Sequence, residues 1–240
     1  MTTTTKGRLY GLGLGPGDPE LLTVKALRLL RAAPVVAFPR AAGGTSFARS
    51  IVAAFLSPHQ FEIAIDVPMA PDPDLAVPAY DQAATEISAQ LDRGRDVAVL
   101  CQGDPFFYGS FMYLFERLGP DYPVEIVPGV TSLTSSAAML AMPLASLDEV
   151  VTVLPASLPS EVIAEHLART DCAAIVKLGR HFARIREVLA GCGLIAAARY
   201  IERATLPAQR ILPIDVIDPT SVPYFSMILV RKAPGTTART

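Results

Sequence analysis

The chain has 240 residues, of which 51% are hydrophobic and only 18% charged, and its formal net charge is -2. Such a balance excludes the basic surface that a nucleic-acid binder or an anionic-membrane binder presents, and the apolar runs break well short of a membrane-spanning helix. The length suits one large domain or two small ones. The start, Met1–Lys6, lacks the apolar core of a signal peptide, so a cytoplasmic protein is expected. Cys101, Cys172 and Cys192 are widely spaced and odd in number. They make neither a disulfide framework nor a metal-ligand set, and each is expected as a small buried hydrophobe.

In chain order, Arg8–Leu14 reads as a first strand that runs into Gly15–Pro16–Gly17–Asp18–Pro19. Glycines there let the backbone turn at positive φ and approach a ligand closely. The dinucleotide fingerprint is absent, since Pro16 or Asp18 stands where its third glycine is needed, and no Gly–Lys–Ser/Thr follows as in a phosphate loop. A cofactor without a phosphate chain fits better than NAD or ATP; a proline-stiffened turn is the plainer alternative. Leu22, Ala26, Leu29, Leu30 and Ala33 recur at helical spacing behind Asp18 and Thr23, both suitable caps. Val35–Phe38 is a short buried strand that Pro39–Arg40 ends, Ser46–Leu56 is helix-like, and Phe61–Ile65 is another strand. Met69–Pro78 is too rich in proline for regular structure and reads as a surface connection or a lid. Tyr80, Ala84, Ile87 and Leu91 mark an amphipathic helix.

The strand Val97–Leu100 ends in Cys101–Gln102–Gly103–Asp104–Pro105–Phe106–Phe107–Tyr108–Gly109–Ser110, and a helix follows over Phe111–Leu118. Ligands of open α/β sheets bind at such carboxyl ends of strands. The plainer reading is a tight turn with an Asx cap and packed aromatics. Val124–Val127 adds a strand, and Pro128–Gly129–Val130–Thr131–Ser132 leads into a helix that continues to Met142, with Thr131 or Ser132 as its cap. Five apolar strands alternating with helices make a doubly wound parallel sheet. From about residue 131 a second domain is expected: strands at Val150–Leu154, Cys172–Val176, Arg199–Ile201, Arg210–Leu212 and Phe225–Val230, helices at Ser160–Ala168 and Phe182–Leu189, and a sheet partly antiparallel because its last three strands lack helical links. The last eight residues read as a flexible tail. The fold class is therefore α/β, with an N-terminal parallel domain over 1–130 and a smaller mixed-sheet domain over 131–240.

Three segments together resemble the tetrapyrrole methylases: Gly13–Thr23, Gly103–Ser110 and Val127–Ser132, in that family's order and spacing. Within the family, Phe106–Tyr113, Phe38–Arg40 and Val176–His181 are most similar to the precorrin-2 C(20)-methyltransferases. The resemblance implies methyl transfer from S-adenosyl-L-methionine to a carbon of a small-molecule tetrapyrrole in cobalamin biosynthesis, with the active site in a cleft between the two domains and a homodimer as the assembly. Carried over, the cofactor site uses Pro16, Gly103, Asp104, Phe107, Thr131, Ser132, the backbone at Leu178, and Ala204. Leu178 stands where siroheme-pathway relatives have methionine, and Gln102 where they have glycine. A polycarboxylate substrate calls for arginines, and Arg40, Arg49, Arg180, Arg184 and Arg203 are the candidates. Tyr108 and His181 are candidates for taking a proton from the methylated carbon, and their plainer roles are a packed ring and a helix-start residue. No metal-ligand cluster is evident, and any cobalt would arrive inside the substrate. Alternatives are methylation at another tetrapyrrole carbon or of a diphthine precursor, and a cofactor-binding module without turnover.

Overall fold

The computed structural model describes residues 5–68 and 73–232. The chain divides into two compact units, Met1–Thr131 and Ser132–Thr240.

The first unit is built on five parallel strands: β1 (Leu9–Gly13), β2 (Val35–Ala41), β3 (Phe61–Val67), β4 (Val97–Cys101) and β5 (Val124–Val127). Their order is β3-β2-β4-β1-β5, with every neighbouring pair parallel. The alternating faces of these strands are both apolar, so each must be covered. Tyr10, Leu12, Val36, Phe38, Ala98 and Leu100 pack under α1 (Val24–Ala32) and α2 (Phe47–Ile51). Leu9, Val35, Ala37, Val97 and Val99 pack under α3 (Val77–Leu91) and α4 (Phe111–Leu118). Each fully buried Leu, Val or Phe contributes about 1.5–3 kcal/mol of transfer free energy, so the two-sided core is what fixes the strand register. The sheet is thus wound on both faces.

Local departures from the sequence pattern have local causes. The hydroxyl of Thr23 caps α1 by accepting from the Ala26 N–H, while Asp18 caps only a short turn, Pro19–Leu21. The strand β2 does not stop at Pro39. It continues to Ala41 because beyond Ala37 it pairs only with β3, where a missing N–H is tolerated. Ser46–Leu56 is a short helix capped by Ser46, broken at Val52 and followed by a turn over Ala53–Phe55. Within the proline-rich connection, 73–76 is a short turn leading into α3; the part at 69–72, including its reading as a lid, lies outside the described residues, as does the expected tail at 233–240.

The second unit is built on β6 (Val151–Pro155), β7 (Cys172–Val176), β8 (Ala198–Glu202), β9 (Arg210–Leu212) and β10 (Ser226–Arg231), in the order β6-β7-β10-β8-β9. Only β6 and β7 are parallel neighbours; β10 runs antiparallel to both β7 and β8, and β9 to β8. One face packs against α6 (Ser160–Arg169) and α7 (Phe182–Gly191) through Ile163, Leu167, Phe182, Ile185 and Leu189. The other face, Ala174, Val176, Ile201, Met227 and Leu229, is covered by α5 (Ser132–Met139) and the segment after it, through Leu133, Ala137, Leu140 and Met142. The helix α5 ends three residues short of Met142: the chain turns at Ala141, whose φ is +48°, and the Met142 N–H reaches back to the Ala137 carbonyl at 3.0 Å.

Candidate active site

In the first unit β4, β1 and β5 lie side by side and parallel, so their carboxyl ends present three loops at one edge. The loops are joined backbone to backbone. The N–H of Gly15 donates to the Gly103 carbonyl at 3.2 Å, and the N–H of Gly103 donates to the Gly15 carbonyl at 2.7 Å. Gly103 holds φ at +69°, and a methyl at its Cα would meet nothing within 4 Å, so its backbone faces open space. Gly129 is the opposite case: a methyl there would lie 2.0 Å from the Gly103 carbonyl oxygen and 2.8 Å from the Gly13 Cα.

Asp104 ties the loops together. Its Oδ1 accepts the N–H groups of Phe106 and Phe107 at 2.9 and 3.1 Å, and its Oδ2 accepts the N–H of Gly129 at 3.0 Å. A carboxylate has further lone pairs, so this clamp leaves acceptor capacity for a ligand. Pro16 is buried beneath the first loop, and Phe107 is half-buried with its ring edge-on to Tyr108, centroids 5.1 Å apart. Tyr108 is exposed and sits at φ +56°, a conformation that costs a non-glycine residue about 1–2 kcal/mol and that collects at functional turns. Thr131 closes the β5 loop and Ser132 opens α5. Pro16, Gly103, Asp104, Phe107, Tyr108 and Thr131 are thereby brought to one edge of this sheet.

In the second unit the carboxyl ends of β7 and β8 share an edge in the same way. After β7, Lys177 stands at φ +59°, the Leu178 side chain is fully buried in the core, and the turn Gly179–His181 begins α7. After β8, Arg203 and Thr205 stand at φ +49° and +70°, on either side of Ala204. The Thr205 N–H is held by the Gln209 side chain at 2.8 Å. Leu178 offers backbone only, and Ala204 packs partly against the sheet. His181 is half-buried; burial, then the charges of Arg180 and Arg184, hold its imidazole below the ordinary histidine range, so it is neutral at neutral pH.

The candidate arginines separate. Arg40 pairs bidentately with Asp66, its neighbour across β2 and β3, at 2.7 and 3.1 Å. Arg49 pairs bidentately with Glu62 at 2.7 Å through both nitrogens, near the amino-terminal end of β3. Both forks are filled by internal carboxylates. Arg184 donates to the Ala156 carbonyl and the Ser160 hydroxyl, which ties α7 to the start of α6. Arg180 is exposed and lies beside His181, its Nε 3.5 Å from the imidazole. Arg203 lies 3.5 Å from Glu202, a buried carboxylate that also meets Tyr200 and Arg210. Sequence reasoning missed that cluster; the signal was an acid, Glu202, following Tyr200 and Ile201 at the end of a strand. Among the described residues no group of three His, Cys, Asp or Glu side chains is placed to hold a metal, and no helix is long and apolar enough to cross a membrane.

A wholly parallel sheet with glycine-built turns at its carboxyl edge, followed by a mixed sheet with strained turns at the corresponding edge, defines a two-unit α/β protein whose loops are shaped for a ligand. The chain belongs to the tetrapyrrole (corrin/porphyrin) methylases, whose family model matches residues 8–217. It is 44% identical over 235 residues to the cobalamin biosynthesis protein CobIJ of Mycobacterium tuberculosis, covering 95% of this chain and 46% of that protein, so it spans about half the length of that relative. It is 38% identical over 238 residues to the precorrin-2 C(20)-methyltransferase of a Sinorhizobium species, covering 96% and 97% of the two chains. Similarity to the cobalt-precorrin-2 C(20)-methyltransferase of Salmonella typhimurium is 34% over 229 residues, covering 94% and 97%. Among solved structures, uroporphyrin-III C-methyltransferase of Thermus thermophilus, complexed with S-adenosyl homocysteine, matches with a TM-score of 0.67 and 25% identity over 94% and 98% of the chains.

Proposed function

We propose that this chain is an S-adenosylmethionine-dependent methyltransferase that methylates carbon 20 of precorrin-2 in cobalamin biosynthesis, giving precorrin-3A. The observation that carries the reading is the loop edge of the first sheet, where Gly15 and Gly103 join two loops backbone to backbone, Gly103 borders open space, and Asp104 ties its own loop to the one after β5. End-to-end similarity to a precorrin-2 C(20)-methyltransferase supports the substrate.

The residues fit such a cofactor. Backbone amides and carbonyls near Gly103 suit an amino-acid and nucleoside ligand that has no phosphates to neutralise, and the Asp104 carboxylate, with lone pairs to spare, suits a cation. Pro16, Phe107 and Thr131 in the first unit, and Ser132 with the backbone at Leu178 and Ala204 in the second, are the further residues proposed to hold the cofactor. When bound, S-adenosylmethionine supplies an already activated methyl group. The chain's own work is then alignment and exclusion of water, worth several kcal/mol of barrier. Tyr108 and His181 are the candidates proposed to take the proton that must leave the methylated carbon. With this reading go a cytoplasmic setting and a homodimer.

The test is a transfer assay with isotopically labelled S-adenosylmethionine and anaerobically prepared precorrin-2, the product read by mass spectrometry and carbon NMR. One added methyl at carbon 20 is expected. A methyl at another carbon overturns the substrate and keeps the reaction. Turnover with cobalt-precorrin-2 alone would assign the metal-bearing substrate.

A further inference from the structure

We propose that Glu202 is a positioning residue that aims the guanidinium groups of Arg203 and Arg210 at carboxylate side chains of the substrate. The proposal rests on the reading above and deepens it by naming a carboxylate subsite on the second unit.

The strand β8 reads Ala–Arg–Tyr–Ile–Glu, and Glu202 at its end is only 3% exposed. A buried carboxylate is costly unless its lone pairs are met. Two residues earlier on the same face, the Tyr200 hydroxyl donates to Oε2 at 2.5 Å. Burial, then the bond to Glu202 and its charge, push the Tyr200 phenol up, so the proton stays on the tyrosine. The other oxygen, Oε1, faces two cations: Arg203 Nη1 at 3.5 Å and Arg210 Nη1 at 3.4 Å. Arg210 arrives there by register, directly opposite Glu202 in the β8–β9 pair.

One arginine would balance Glu202; two leave a surplus positive charge. Both contacts are longer than a normal N–H···O bond, so neither fork is saturated, and the Arg203 and Arg210 side chains are 40% and 54% exposed. Arg203 is also held in the left-handed region by its N–H on the Phe225 carbonyl at 2.8 Å, a strained backbone that fixes where its side chain starts.

The surroundings point to the same ligand class. The segments at this edge, 156–161, 177–184, 203–210 and 223–225, carry Lys177, Arg180, His181, Arg184, Arg203 and Arg210 against one acid of their own, Glu161, besides Glu202. Among them Tyr224 and Phe225 are exposed, with ring centroids 5.4 Å apart, and the Tyr224 Cα lies beside Gly179. An exposed aromatic pair on an arginine-rich edge suits an apolar plane bearing several carboxylates, which is the chemistry of a tetrapyrrole with acetate and propionate side chains.

The experiment compares the parent chain with Arg210→Gln, Arg210→Lys and Glu202→Gln in methyl transfer to precorrin-2. In parallel, calorimetric titrations use S-adenosylhomocysteine and fluorescence titrations use uroporphyrin III, a stable octacarboxylate. Arg210→Gln should raise the tetrapyrrole KM about tenfold, the equivalent of one charge-assisted contact, with kcat and S-adenosylhomocysteine affinity within about twofold. Arg210→Lys should recover only part of that loss, because an ammonium lacks the fork. Glu202→Gln keeps an acceptor for Tyr200 but releases both guanidiniums, and should raise KM in the same direction. Uroporphyrin affinity should fall in step. If KM and uroporphyrin affinity are unchanged in Arg210→Gln, the proposal is overturned while methyl transfer stands. A joint loss of melting temperature, kcat and cofactor affinity without a KM effect would make the cluster purely structural and overturn it as well. Should Glu202→Gln not fold, the exposed Arg210 variants still decide. If the parent protein methylates no tetrapyrrole, the functional reading fails, and the uroporphyrin titrations judge the subsite by themselves.

Discussion

At the scale of single residues, Asp104 shows how one side chain carries two expectations at once. The sequence placed it as a cap or as a cofactor ligand, and in the structure its carboxylate accepts three backbone N–H groups from two loops. Asp104→Asn keeps the shape but turns one oxygen into a donor, so whichever way the amide faces, donor meets donor. That variant should lose about 1.5–3 kcal/mol of stability in denaturant unfolding, the worth of hydrogen bonds to a charged group. Stability within 0.5 kcal/mol of the parent would refute the clamp. Glu62 supplies a pH test. The hydrogen bonds from Arg49 outweigh burial and hold its carboxyl below the ordinary range. A depressed acid stabilises the fold above its unfolded value, about 4.3, and that stability is lost as pH falls through the folded value. In Arg49→Gln the Glu62 midpoint, followed by NMR, should move up towards the ordinary range; an unmoved midpoint would mean the pair does not persist in solution. Arg40 and Arg49 were readable as arginines near loops, but not as arginines already paired, because Asp66 and Glu62 reach them only through sheet pairing. Arg203 stood among the candidate arginines, but Arg210, which meets the same carboxylate, did not, since only register sets it opposite Glu202.

At the scale of elements, periodicity recovered the strands and long helices because both faces of the inner strands and one face of each long helix are committed to a core. Thr23 marked the start of α1 by its chemistry alone. What periodicity could not place were ends governed by neighbours. Pro39 sits inside β2 because β4 has already left that side, and α5 stops at Met139 because the chain turns at Ala141 to lay Leu140 and Met142 on the second sheet. The loops make a prediction of rank. Gly129→Ala forces a methyl into the backbone of two other loops and should cost about 1–3 kcal/mol or more. Gly103→Ala meets open space and should cost only the backbone term, about 1–2 kcal/mol. Chemical denaturation of the two variants tests the order, and equal losses would contradict the close approach of the loops.

At the scale of the whole molecule, the sequence announced parallel strands followed by a mixed sheet, since helices separate the first five strands and only short turns separate the last three. It did not announce strand order, which depends on which edges meet rather than on any local pattern. A low charged fraction and the exposed rings of Phe106, Tyr113 and Phe115 near α4 favour a homodimer, and light scattering at micromolar concentration should return twice the chain mass; the mass of one chain would refute it. The strand order has a consequence for synthesis. Both partners of β1, namely β4 and β5, are encoded far downstream, with Leu9 paired to Val97 and Val124. At roughly 5–20 residues per second, a ribosome needs on the order of 5–20 s to deliver the first of them. For that interval β1 has neither of its sheet partners, so it enters the sheet only after β2 and β3 have already been made.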